Sequence, residues 1–348
     1  MQLKLYPCKP GGYDPELFGA CNARTSRSKD SLEDLLNSGK PVDKIYNYLD
    51  FGHFPIGDNI RCCVDFQDIT MLEAMLLWYN IKVGEGTESS SRYLNLGGLE
   101  KTDKFDNLRY ILPVSTLTNV RITTTIREWA KVTRYLLSHF SPRVNILGKT
   151  LYSALKEEFS QSFKNGDPTD RDFDYHQKKA RPACLKPTAY DPSVQWVGVS
   201  QYPKFSCNPY AIYDLNELQR EWAKHDIISF DVNNVTIAEA RDINRHRSGS
   251  TTIDWEIDGF WSPIKSQVED AYEASMEAYK AYHSGDLDWQ FKLLLGNQLD
   301  SITRTTTMDK FIYEWQLRTG KGSHFKYREA YEQIAEKIGL KKGDIIKC

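Results

Sequence analysis

The sequence predicts an α+β protein with long helices, on three observations. Short β-rich runs are each followed by a segment of helical periodicity, two threonine triplets lead into amphipathic helical patterns, and these marks recur in order in both halves of the chain. The first pair of β-rich runs is 62–67, followed by a helical pattern over 70–82, and 227–232, followed by one over 236–247. After Thr125, residues Ile126, Trp129, Thr133 and Leu136 form one stripe, Arg127, Lys131 and Arg134 share the neighbouring face, and Pro142 stops the element. After Thr307 the stripe is repeated by Met308, Phe311, Ile312 and Trp315, and Arg318 closes it.

The recurrence has a measurable spacing. Arg121-Ile122-Thr123-Thr124-Thr125 returns as Arg304-Thr305-Thr306-Thr307 at an offset of 182, and Glu73-Ala74 returns as Glu239-Ala240 at an offset of 166. The unequal offsets require an insertion in the second half, which the segment 258–285 can supply. Three stretches punctuate the chain: 84–98, 165–200 and 247–263. The middle one combines Pro168, Pro182, Pro187 and Pro192 with charge and no apolar period. The expected organisation is a first repeat over 1–164, a linker over 165–200 and a second repeat over 201–348.

Composition narrows the function classes. At 348 residues, with 40% apolar residues and 15 Phe, 20 Tyr and 8 Trp, the chain has material for about two cores, which excludes a disordered chain. Lys and Arg number 45 against 47 Asp and Glu, so no global basic field draws nucleic acid or an anionic membrane, and any anion must be held locally. The most apolar stretch, 71–81, is broken by Glu73 and is too short to span a bilayer. Pro7, Pro10, Gly11 and Gly12 stand where a signal peptide would need apolar residues, so the expected location is the cytoplasm, or the host cytoplasm for a viral protein. Seven cysteines without a Cys-x-x-Cys spacing read as reduced thiols and supply no zinc site.

Familiar motifs are absent. Gly148-Lys149-Thr150 has the tail of a phosphate loop without its leading glycine and continues a helix, and Gly84-Glu85-Gly86 begins a dinucleotide fingerprint that lacks its last glycine. There is no His-Glu-x-x-His and no Gly-x-Ser-x-Gly. Two polar clusters remain. Arg245-His246-Arg247-Ser248-Gly249-Ser250 ends a predicted helix with groups suited to gripping a phosphate, although by itself it reads more readily as a solvated helix end balancing the macrodipole. Glu88-Ser89-Ser90-Ser91-Arg92-Tyr93 offers hydroxyls, backbone amides and one arginine in a loop.

Together the two clusters resemble the signature of the flavin-dependent thymidylate synthases (ThyX), Arg-His-Arg-x-x-Ser-x-Asn-x-x-Ser-x-Arg with a Glu beside the Asn. The second half keeps the front, Arg245-His246-Arg247-x-x-Ser250, then has Thr252, Trp255 and Ile257 where Asn, Ser and Arg are expected. The first half keeps the back, Glu88-x-Ser90-x-Arg92, but has Asn80, Ile81 and Lys82 in place of Arg-His-Arg. Ala23-Arg24-Thr25-Ser26, the Gly52-His53-x-Pro55 segment and Arg109-x-x-Leu112-Pro113 are similar to further family segments, with Lys292 and Gly296 at the second-half counterpart of the last. Arg127 matches the flavin-facing helix only in the first half. Leu317-Arg318 matches its terminal Leu-Arg only in the second, where the first has Leu136, and Ser323-His324 follows it.

The resemblance implies two ThyX-like repeats, each a mainly antiparallel sheet with long flanking helices, in which each half has lost what the other retains. It implies a covalent pseudo-dimer, so that a homodimer would form a pseudo-tetramer with pockets between subunits. The implied reaction is one-carbon transfer to C5 of a pyrimidine deoxynucleotide such as dUMP, with FAD, NADPH and methylenetetrahydrofolate. Arg318 would be the catalytic arginine polarising the uracil; Ser90, Arg92 and Arg109 would hold the nucleotide phosphate, with Glu88 near the sugar and flavin; and His53, Arg127, Arg245, His246, Arg247 and Ser250 would hold FAD. Asp242 stands where the family commonly has Gln, facing either a base edge or a phosphate. Two other function classes stay open: a flavin and folate enzyme with another pyrimidine or a hydroxymethyl product, and a non-catalytic nucleotide or flavin binder. His139, His176, His225 and His283 read as surface or capping residues, and Trp129 and Trp315 as core.

Overall fold

A computed structural model describes residues 1–38, 46, 54–89, 105–163, 180–182, 193–200, 226–246, 249–319 and 325–338. The fold is α+β, with a four-stranded and a five-stranded sheet. The chain divides into two compact units: Met1–Leu96 with Thr116–Lys178, and Gly97–Ser115 with Lys179–Cys348. Residues 97–115, expected in the first repeat, therefore belong to the second unit. Among the described residues no helix is long and apolar enough to cross a membrane.

In the first unit, β1 (Gln2–Pro7), β2 (Arg61–Thr70), β3 (Gly84–Glu88) and β4 (Leu117–Thr125) form an antiparallel sheet in the order β1-β2-β4-β3. Strand β4 alternates exposed and buried residues, which puts Val120 and Ile122 in the core. Each central strand runs straight into a helix. Thr70 caps Met71–Asn80 through a reciprocal capping box with Glu73, and Thr125 caps Ile126–Ser138 by accepting from the Glu128 amide. Trp129 is fully buried and its indole N–H donates to the Cys62 carbonyl at 3.0 Å. His139 is the C-terminal cap of that helix, with Nδ1 accepting the Ser141 amide at 3.1 Å.

In the second unit, β5 (Ala180–Pro182), β6 (Ser193–Ser200), β7 (Ile227–Thr236), β8 (Ser250–Phe260) and β9 (Asn297–Thr307) take the order β5-β8-β9-β7-β6, antiparallel except for β5 against β8. Thr236 caps the helix Ile237–Asn244, and helices Lys265–His283, Met308–Thr319 and Phe325–Lys337 complete the unit. Phe230, Phe311 and Tyr331 build its aromatic centre, with Phe311 stacked on Tyr331 at 5.8 Å. Trp315 is buried at 6% exposure.

The segment 165–200, expected as a linker, supplies β5 and β6 to this sheet. Both are edge strands, and an edge tolerates prolines that a central strand would reject. The stretches 84–98 and 247–263 likewise contain β3 and β8, because cross-strand pairing overrides the weak strand signal of Gly-rich and polar sequence.

The two sheets share one scheme. Val64 and Gly86 flank Ile122 in the first, and Phe230 and Thr251 flank Arg304 in the second. The offset of 166 also relates Asp68 and Asn234, which are the non-glycine residues of positive φ, at 55° and 52°, among those described. Asp and Asn tolerate this left-handed conformation better than other side chains.

Helices Ile126–Ser138 and Pro142–Glu158 approach closely at Gly148, where an added Cβ would stand 2.8 Å from the Leu136 Cβ and 2.9 Å from the backbone of Leu136 and Leu137. Backbone cannot yield as a flexible side chain would. Gly148→Ala is expected to lower stability by about 1–3 kcal/mol despite the alanine's better helix propensity, read as a lower urea midpoint.

Candidate functional site

The helix Ile237–Asn244 is buried along its whole length, and four of its buried residues, Glu239, Arg241, Asp242 and Asn244, are polar or charged. Such groups require partners in a low-dielectric interior. Two come from the 3-10 turn Arg109–Ile111: Arg109 Nη2 donates to Asp242 Oδ2 at 3.0 Å, and the Tyr110 hydroxyl donates to Glu239 Oε1 at 2.6 Å. That turn is held by reciprocal backbone bonds, Val114 N–H to the Leu293 carbonyl at 2.9 Å and Leu295 N–H to the Leu112 carbonyl at 2.8 Å. The second 3-10 turn, Trp289–Lys292, ends on Leu293 as the first ends on Leu112. Counting back from these leucines sets Gln290, and not Lys292, at the counterpart of Arg109.

The chain leaves the helix through Arg245, whose Nη1 lies 3.6 Å from Asp242 Oδ1, so both carboxylate oxygens of Asp242 are turned to guanidiniums. Burial opposes ionisation of Asp242, but Arg109, Arg245, Arg318 and Arg241 override it and hold the carboxyl well below its ordinary value. Burial also works against the charge on Arg109, which Asp242, Tyr110 and Glu239 nevertheless hold more firmly than usual. Burial pushes Glu239 up, only partly opposed by Arg109 and the Tyr110 hydroxyl. Tyr110 is driven well above its usual value by burial and then by Glu239.

A second network lies on β9 and the helix after it. Arg304, fully buried, donates Nε to Glu314 Oε2 at 3.0 Å and Nη2 to Glu314 Oε1; its Nη1 donates to the His246 carbonyl at 3.1 Å and Thr251 Oγ1 at 3.0 Å. The Tyr331 hydroxyl donates to Glu314 Oε2 at 3.0 Å. Arg318 Nε donates to His246 Nε2 at 2.8 Å, and His246 Nδ1 lies 3.9 Å from Glu314 Oε1. Gly249, at φ 120°, then turns the backbone into β8 where an added Cβ would stand 2.3 Å from the Thr305 carbonyl.

The influence of Arg318 on Asp242 joins the two networks. Among the described residues, Arg109 and Arg245 are paired with Asp242 and Arg304 with Glu314, and Arg241 and Arg318 also act on Asp242. Arg304 and Arg109 are deep, whereas the Arg245 side chain is 21% exposed and Arg318 is half-buried. Arg245 and Arg318, braced from within and partly exposed, are guanidiniums of the kind that contact anions.

The structure brings four sequence-predicted residues together: Arg109, Arg245, His246 and Arg318. Arg109, read as a phosphate contact, is directed at Asp242, since a buried guanidinium requires a carboxylate. Ser250 is exposed at the start of β8, opposite Thr305. Glu88 and Arg127 belong to the first unit, Glu88 ending β3 opposite Val120 and Arg127 pairing with Asp58 at 2.8 Å near the surface. His53, Ser90, Arg92 and Arg247 lie outside the described residues. Sequence reasoning missed the roles of Tyr110, Arg304, Glu314 and Tyr331. The available signal was a charged residue at an inward strand position, Arg304 between Ile302 and Thr306, with Glu314 on the apolar stripe of Phe311 and Trp315.

The first unit fills the same positions differently. By the offset of 182, Arg304, Glu314 and Arg318 correspond to Ile122, Val132 and Leu136, all buried without measurable exposure. Burying an ion pair is often no more stabilising than a well-packed apolar pair, so the second unit's charges are not demanded by the fold. Among the described residues no three His, Cys, Asp or Glu side chains are grouped to hold an ion.

Asp242→Asn removes a charge that the buried Arg109 and the half-buried Arg245 need and is expected to destabilise the protein by about 3–5 kcal/mol at neutral pH. Because the folded state keeps Asp242 ionised below its ordinary value of 3.8, this contribution is complete above that value and fades as the pH falls below it. Urea midpoints of wild type and variant are therefore expected to differ widely at pH 7 and to approach one another toward pH 3.

Compared with known proteins, the sequence matches no protein-family model and no curated protein.

Proposed function

We propose that the second unit binds a phosphorylated pyrimidine deoxynucleotide such as dUMP and takes part in flavin-dependent one-carbon transfer to its C5, in the manner of the flavin-dependent thymidylate synthases. The reading rests on the 2.8 Å contact between Arg318 and His246, which unites the Arg-His-Arg and Leu-Arg pieces across 72 positions. The partly exposed guanidiniums of Arg245 and Arg318 fit the anionic groups that the nucleotide, FAD and NADPH share. When bound, reduced FAD supplies hydride, methylenetetrahydrofolate supplies the carbon unit, and NADPH restores the flavin.

The chain's own residues bind and polarise. Arg245, braced on Asp242, and Arg318, braced on His246, offer guanidiniums that stay protonated and are already oriented, so little reorganisation is needed when an anion arrives. Arg318 would stabilise negative charge developing on the uracil carbonyl. Asp242, with both oxygens turned to arginines, acts as the brace and not as a reader of the base. Two chains would complete the pocket as a homodimer with the tetrameric arrangement of that family.

The purified protein incubated with reduced FAD, methylenetetrahydrofolate and either dUMP or dCMP is expected to add a methyl group to dUMP, read by product mass. A hydroxymethyl product, or reaction only with dCMP, would move the reading to a modified-pyrimidine enzyme; no product and no flavin absorbance would reduce it to a binder. Arg318→Ala is expected to abolish turnover. Leu136→Ala, at the counterpart in the first unit, is expected to cost about 2–5 kcal/mol of stability and leave turnover of the folded fraction near wild type.

A further inference from the structure

We propose that Glu314, anchored by Arg304 and Tyr331, is a positioning residue: it fixes the His246 proton on Nδ1, so that Nε2 accepts from Arg318 and holds that guanidinium toward a bound anion. The anion-directed part rests on the functional reading above; the tautomer part stands on geometry alone.

An arginine Nε–H only donates, so at 2.8 Å the His246 Nε2 must present its lone pair. The proton of the neutral ring then sits on Nδ1, the nitrogen 3.9 Å from Glu314 Oε1. That separation is too long for a direct hydrogen bond but favours the N–H dipole in a dry interior. Glu314 itself has little freedom: Arg304 holds it through two donors and Tyr331 through a third. Arg304 also grips the His246 carbonyl, so the histidine's main chain and ring are both referenced to one buried pair. Arg304 and Tyr331 are without measurable exposure and Glu314 is 1% exposed, so these groups act on a ligand only through His246 and Arg318.

The first unit supplies the comparison. Ile122 and Val132 fill the places of Arg304 and Glu314, and there Leu136 fills the place of Arg318. One strand and helix pack with an apolar pair where no arginine needs aiming, and carry the ion pair where one does.

The test uses the full ligand-free chain labelled with 15N-histidine, with His246 assigned by its loss in His246→Gln. Long-range proton–nitrogen spectra are expected to show His246 protonated on Nδ1. Arg304→Ile/Glu314→Val/Tyr331→Phe adopts the first unit's apolar pair and removes the hydroxyl it would strand. It is expected to fold with a single cooperative urea transition, to lose the Nδ1–H preference, and to bind inorganic pyrophosphate at least tenfold more weakly by calorimetry. Should it fail to fold, Glu314→Gln, which keeps the volume and removes the charge, is expected to weaken the same preference and lower affinity at least threefold. A wild-type His246 protonated on Nε2, or folded variants that keep both tautomer and affinity, would overturn the proposal. Failure of wild type to bind pyrophosphate would overturn its anion-directed part. Absence of turnover on dUMP bears on the proposed function alone and leaves the tautomer result standing.

Discussion

A guanidinium withdrawn from water must find a carboxylate, and the second unit is organised around that requirement. Arg304 is matched to Glu314 and Arg109 to Asp242, each inside the protein and each reinforced by a tyrosine nearby, Tyr331 on Glu314 and Tyr110 on the neighbouring Glu239. Once these deep charges are satisfied they become fixed points. Arg245 and Arg318 are then oriented from behind, by Asp242 and His246, and it is these two that stand nearer to solvent. Rigidity at the margin thus comes from neutralisation beneath it.

The frame of the two units obeys one rule while their interiors obey two. Thr70 and Thr236 cap equivalent helices, Asp68 and Asn234 share a left-handed backbone, and the central strands pair in the same order. These features concern backbone geometry, which either interior can use. Inside, the first unit packs Ile122, Val132 and Leu136, and the second installs Arg304, Glu314 and Arg318. Burying the charged set adds little to stability over the apolar one, so the shared fold does not itself require it.

Parts of this were legible beforehand. Threonine triplets leading into apolar stripes gave the helices after β4 and β9, and the offsets of 166 and 182 gave the correspondence of the halves, because caps and periodicity are local properties. Within 165–200 the described residues form the edge strands β5 and β6, the first ending in Pro182; an edge tolerates a proline that a central strand would bar, and edge position is a property of the sheet. The clustering of Arg245 and His246 was visible as adjacent letters. Asp242 as the shared partner of Arg245 and Arg109 was not, since Arg109 lies 133 residues away.

By itself, then, the sequence determined the helices that follow β2, β4, β7 and β9 and the cluster of cationic side chains at one helix end, since each depends on residues within a few turns of one another. Only the tertiary structure decided that residues 97–115 join the second unit, that Arg109 is neutralised by Asp242, and that Glu314 stands behind His246. Electrostatic matching of buried charge depends on distance in space and on the exclusion of water, and neither is written in the order of residues along the chain.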